Sequence, residues 1–125
     1  MKVTDSKLID SSVWIAYLVN SSFSEIFESD EMLFLSVLSL FEIKKILTKQ
    51  KIAPEQITKS IDAIKKRSFL INVDVNISEL AAEISSRNKL PAFDALIYAS
   101  TLKNNAELVT LDNDFRNLER VRILN

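Results

Sequence analysis

The chain has 125 residues, 47% of them hydrophobic, which suits one domain over 1–125 with one core that buries roughly two-thirds of the unfolded surface. Its net charge of −1 comes with neither Cys nor His. That excludes disulfides, thiolate metal sites and imidazole bases, and leaves carboxylates, hydroxyls, Lys or a hard metal ion for any catalysis. Oxygen-only ligand sets suit magnesium or manganese.

In chain order, apolar strands alternate with amphipathic helices. The opening "MKVTDSKLIDSSVWIAYL" is acidic early and has no small-residue cleavage site, so it reads as structure and not as a signal peptide. "KLID" (7–10) is a short strand, and "SSVWIAYLV" (11–19) a helix with Val13, Trp14, Tyr17 and Leu18 on one face. "EMLFLS" (31–36) is a strand, followed by a helix over 38–50 with apolar positions Leu40, Ile43, Ile46 and Leu47. Pro54 opens a helix to about Arg67, in a first-turn place that Pro tolerates. "FLINV" (69–73) is a third strand, and Asn76 with Glu79 has capping-box spacing for a helix reaching Ser86. Pro91 opens a nearly all-apolar helix to about Lys103, which implies burial. "AELVTL" (106–111) and "VRIL" (121–124) are the last strands. No run approaches the ~18 apolar residues of a membrane span. With no Gly in the chain, Asn, Asp and Ser must serve where φ is positive, and Asn88 and Asn105 stand at helix ends where glycine is usual.

Strands separated by helices imply right-handed crossovers and a parallel sheet covered on both sides. Ligands of such sheets bind beyond the carboxyl ends of the strands, where strand order reverses. Four acids fall at that edge: Asp10 after the first strand, Glu42 and Asp94 in first helical turns, and Asp112 after the fourth strand. Together they could hold one or two divalent cations, which would position a water and stabilise charge on a phosphodiester.

Each acid also has an ordinary structural explanation. Asp10 suits a helix cap. Glu42 stands three residues after Ser39, as in a capping box, and one turn from Lys45. Asp112 suits the cap of a short helix in "DNDFRNL". Asp94 is harder to dismiss, because a lone carboxylate on a buried helix needs a partner, either a metal or a nearby cation. Ser11, Ser12 and Thr110 add hydroxyls beside the acids. Thr110 shares a strand face with Asp112, which favours Asp112 over Asp114 as the metal-facing residue. Asp114 takes a supporting place at the helix start.

Charge is uneven. Eight basic residues against two acids between Lys44 and Arg67 leave that stretch at +6 and the remainder at −7. A basic face of this kind is compatible with nucleic acid, and equally with a solvated helix surface.

Three blocks, "LIDSSVWIAYL", "LSVLSLFEIKKIL" and "LPAFDALIYASTLKNNAELVTLDNDF", cover nearly the whole chain. They resemble the PIN-domain family, and within it the VapC-like toxin ribonucleases. The last block is the most specific, with an aspartate heading an apolar helix, then a strand, Thr-x-Asp and Asp-Phe. "NKL" and "NNA" stand where the family often has Gly, and Asn can adopt the same backbone. The resemblance implies a three-layer α/β/α fold with a five-stranded parallel sheet. It implies a magnesium- or manganese-dependent endoribonuclease with Asp10, Glu42, Asp94 and Asp112 as metal ligands and Ser11 and Thr110 in support. On this family resemblance Lys44, Lys45 and Lys49, which share the helix of Glu42, are the candidates for phosphate contacts with RNA. Cleavage would leave a 5′-phosphate and a 3′-hydroxyl. It further implies a cytoplasmic homodimer inhibited by a small antitoxin near the acidic cleft. The alternatives are a housekeeping RNA-processing nuclease of the same fold and a catalytically silent binding module, whose signature would be a lost acid. A receiver- or haloacid-type phosphoryl-transfer domain lacks support, since "IDSSV" has no Asp two residues after Asp10 and no Lys sits at a late strand end.

Overall fold

The computed structural model describes residues 6–125, so residues 1–5 of the N-terminal stretch read above lie outside the described residues. Five strands, β1 (Lys7–Ile9), β2 (Leu33–Ser36), β3 (Ser68–Ile71), β4 (Glu107–Thr110) and β5 (Val121–Ile123), form one sheet in the order β3-β2-β1-β4-β5. Every pairing is parallel, with Leu8 opposite both Phe34 and Leu108. The helices are α1 (Ser11–Asn20), α2 (Ser24–Phe27), α3 (Val37–Lys49), α4 (Pro54–Arg67), α5 (Val75–Asn88) and α6 (Ala92–Lys103). This is the three-layer arrangement that the alternation of elements and the family resemblance imply.

Strand alternation sorts the core into two layers. Leu8 and Leu108 face α5 and α6 with Ile77, Ala81, Ile84 and Ile97. Ile9, Leu33, Leu35 and Val109 face α1, α3 and α4 with Val13, Trp14, Ile43 and Ile64. Strand order reverses between β1 and β4, so the crevice of this sheet opens beyond Ile9 and Thr110.

Local chemistry departs from the sequence expectations in four places. The four-residue α2 was not foreseen, because one turn carries no period; it buries Phe27 against Trp14 and Tyr17, with ring centroids 4.3 and 4.2 Å away. α5 is capped by Asp74, whose carboxylate accepts from the Ile77 N–H at 2.8 Å; Asn76 already lies inside the helix, so the Asn76–Glu79 box does not form. Likewise Ser36 caps α3 by accepting from the Leu38 N–H, which leaves Ser39 and Glu42 inside the helix and not in a capping box. Positive φ falls on Ser21, Asn105 and Asn117 as glycine-free turns require, but also on Phe23, Lys51, Lys89 and Arg120. Lys89, and not Asn88, takes the left-handed place after α5. The left-handed region costs a residue with a Cβ about 1–2 kcal/mol, so packing of the flanking elements holds these turns.

Arg67 is not part of a solvated basic face. Half-buried at the end of α4, it donates to the carbonyls of Phe27 (2.8 Å), Ser29 (3.0 Å) and Glu31 (3.0 Å), clamping the loop that leads into β2. The other seven basic residues between Lys44 and Lys66 are exposed lysines. Arg67→Ala strands several carbonyls and is expected to lower stability by about 2 kcal/mol. Arg67→Lys should restore little, since an ammonium lacks the planar fork. Denaturant midpoints read this directly, and an unchanged midpoint for the Ala variant would remove the clamp from the account.

Candidate active site

The site grows from the ends of β1 and β4. Asp10 follows β1 directly and is only 8% exposed. It occupies the cap position of α1 but makes no side-chain cap bond. Its Oδ2 instead accepts from Thr110 Oγ1 at 2.8 Å and Ser12 Oγ at 2.9 Å. Capping therefore does not explain this carboxylate. Ser12 Oγ also accepts from the Leu111 N–H, which ties α1 to the end of β4. Ser11 Oγ donates to Glu42 Oε1 at 3.0 Å, holding the half-buried Glu42 of α3 toward the same edge.

β4 ends at Thr110, and the chain turns. Asp112 donates its N–H to Thr110 Oγ1 and caps the 3-10 turn Asn113–Phe115, its Oδ1 accepting from the Asp114 N–H at 2.9 Å. Asp112 is thus a turn cap as well as a cleft acid. β4 ends before Asp112, and the Thr110 hydroxyl serves Asp10 and the Asp112 backbone. The turn folds Asp114 back. One carboxylate oxygen from each of Asp94, Asp112 and Asp114 lies within 4.8 Å of the others. Asp114, expected in a supporting place at the helix start, stands there and joins this trio although exposed. Asp10 and Glu42 stand outside it.

A profile of the PIN domain family matches residues 7–121. This chain belongs to the PIN domain family. Comparison with curated proteins finds no match. Among solved structures, a toxin–antitoxin complex from Klebsiella pneumoniae contains a chain that is 21% identical, with a TM-score of 0.81 over 93% of this chain and 95% of that one. A VapBC complex from Rickettsia felis, bound to a fragment of its promoter DNA, gives 17% identity and a TM-score of 0.78 over 96% and 98%. The sarcin–ricin-loop-cleaving VapC toxin of Mycobacterium tuberculosis gives 17% identity and 0.66 over 87% and 92%. At these identities the likeness is one of fold.

Electrostatics join all five acids of this PIN domain. The Asp94 carboxyl is pushed up to about 7, first by burial, then by repulsion from Asp112, Asp10, Asp114 and Glu42. Burial also raises Asp10, against the opposing pull of the Thr110 and Ser12 hydroxyls. Glu42 is raised by burial and by Asp10, and lowered by the Ser11 hydroxyl and by Lys45. Among the described residues no Lys or Arg forms an ion pair with any of the five. The donor set therefore fits a divalent cation: hard oxygens only and mutually repelling, with Lys45 offsetting part of the charge at Glu42 without forming an ion pair. Asp94, Asp112 and Asp114 could each offer one carboxylate oxygen to such a cation. Lys44, Lys45 and Lys49 are exposed along α3, with Lys45 Nζ 5.9 Å from the centroid of the Phe41 ring.

Proposed function

We propose that this PIN domain is a divalent-metal-dependent endoribonuclease and the toxin of a toxin–antitoxin pair. One observation carries the enzymatic part: five carboxylates share the crevice where strand order reverses, and three of them bring oxygens within 4.8 Å. Asp10, Glu42, Asp94 and Asp112 would hold magnesium or manganese, with Asp114 beside them. When bound, the ion supplies a water of lowered pKa and neutralises charge building on the phosphodiester. The chain does the positioning. Thr110 and Ser12 fix the Asp10 carboxylate, and Ser11 fixes Glu42. Burial keeps the proton of Asp94 near neutral pH, so it leaves readily when a cation arrives. Lys44, Lys45 and Lys49 would contact RNA phosphates without reading sequence. Cleavage leaves a 5′-phosphate and a 3′-hydroxyl.

The toxin role and a small antitoxin partner are supported by the toxin–antitoxin and VapBC complexes among the structural neighbours, and the homodimer rests on the family resemblance. A ribonuclease assay on the purified protein tests the enzymatic part. Magnesium or manganese should support cleavage and EDTA should abolish it. Cleavage that survives EDTA, or its absence with either metal, would sink the proposal.

A further inference from the structure

Two phenylalanines sit immediately before site acids in the chain: Phe41 before Glu42 and Phe93 before Asp94. Both are exposed, 57% and 37%, although an all-apolar reading of α6 would bury Phe93. Their rings meet edge to face, with centroids 6.3 Å apart at 64°. Together with Glu42, Lys45, Ile46 and Lys49 they line a hollow of about 390 Å³. Phe41, Lys45 and Lys49 also line a larger hollow of about 660 Å³ beside it, where Lys44 and Lys65 add further positive charge. Phe69 gives the contrast. It is 60% exposed and meets Phe34 in the same geometry, but it lies on the edge strand β3 with no site acid or lysine next to it in the chain.

An apolar aromatic pair left in water beside an acidic crevice, and ringed by lysines, suits an occupant with a flat apolar face and an anionic backbone. Resting on the ribonuclease reading above, we infer that Phe41 and Phe93 form a stacking platform for one unpaired base of the RNA strand, next to the bond that is cut. A base in this hollow lies against Phe41 and Phe93 while its phosphates meet Lys45 and Lys49. Stacking needs a free π face, so the platform selects single-stranded or splayed nucleotides over paired ones. Every base has such a face, so the platform confers little base identity.

The test compares wild type with Phe41→Leu, Phe93→Leu and the corresponding Tyr variants on a single-stranded oligoribonucleotide. Leu keeps the apolar bulk and loses the ring; Tyr keeps the ring. The Leu variants should raise KM about tenfold or more and leave kcat within about twofold, and the Tyr variants should match wild type. A second arm uses the Asp10→Asn variant, with magnesium, binding an oligoribonucleotide that carries 2-aminopurine. Its fluorescence should be quenched on binding, and the quench should vanish when Phe93→Leu is added. Unchanged KM in both Leu variants, on a substrate that wild type cleaves, overturns the platform and leaves the ribonuclease intact. It would assign the pair to another occupant, such as a protein partner. Absence of cleavage by wild type with a persistent, Phe-dependent quench would do the reverse.

Discussion

Asp94→Asn should abolish RNA cleavage, by on the order of a thousandfold or more, and at the same time raise the melting temperature of the metal-free protein at pH 8. The two effects have opposite sign because one cause produces both. Asp94 is half-buried at the head of α6, and four other carboxylates repel it. Its pKa of about 7 means that at pH 8 the native state holds a charge it resists, whereas the unfolded chain holds it freely. Asn has nearly the same shape and no charge, so it relieves the repulsion and removes a ligand. The gain in stability should shrink as pH falls through about 7 and vanish below about 4, where Asp becomes protonated in both states. Thermal melts across that range, beside cleavage assays, separate a functional acid from a structural one. A variant that melted lower at pH 8 and still cut RNA would mean that Asp94 holds the fold together and does not serve the reaction.

The fold was largely legible because its signals are local and periodic. Leu8 and Ile9, Leu33 and Leu35, and Leu108 and Val109 mark buried strands, and Pro54 and Pro91 mark helix starts, so element order and parallel pairing followed. Strand ends came within about two residues. What stayed hidden depends on geometry that spacing does not carry. α2 is one turn long, and Asp74 outcompetes Asn76 as a cap because it stands just outside the helix. The acids were legible one by one as strand-end residues. Their hydrogen bonds were not: Asp10 and Thr110 are 100 residues apart and meet only through β1–β4 pairing. Asp114 was legible at the helix start, but its approach to Asp94 and Asp112 was not, because it depends on the Asp112 cap that turns the chain back. Phe93 looked like core because every apolar residue of α6 counts alike in a composition-based reading, whereas in the first turn of the helix it is 37% exposed.

Millimolar magnesium or manganese should raise the melting temperature, and the rise should grow as pH increases from about 5 to about 8. The sign follows from the titrations. Asp94 is raised to about 7, and burial raises Asp10 and Glu42 as well. A carboxyl whose folded pKa exceeds its unfolded value adds stability that is fully present below the unfolded pKa, near 4, and is lost as pH climbs through the folded one. The metal-free protein should therefore weaken between about pH 4 and pH 7, the reverse of a domain held by carboxylate ion pairs. A divalent cation needs these carboxylates deprotonated, so its affinity rises over the same interval. Binding to the folded state alone at a hundred times Kd stabilises by about 2.7 kcal/mol, which for a domain of this size is a melting shift on the order of 10 °C. The cation thus returns what deprotonation removes, and the stability curve of the loaded protein should be flatter with pH than that of the free one. Asp94→Asn should lose most of the magnesium effect, because it deletes one oxygen ligand from the Asp94–Asp112–Asp114 trio as well as the charge that resists ionisation. Equal magnesium shifts at pH 5 and pH 8, or the same shift in Asp94→Asn as in wild type, would place the cation on some other part of the surface.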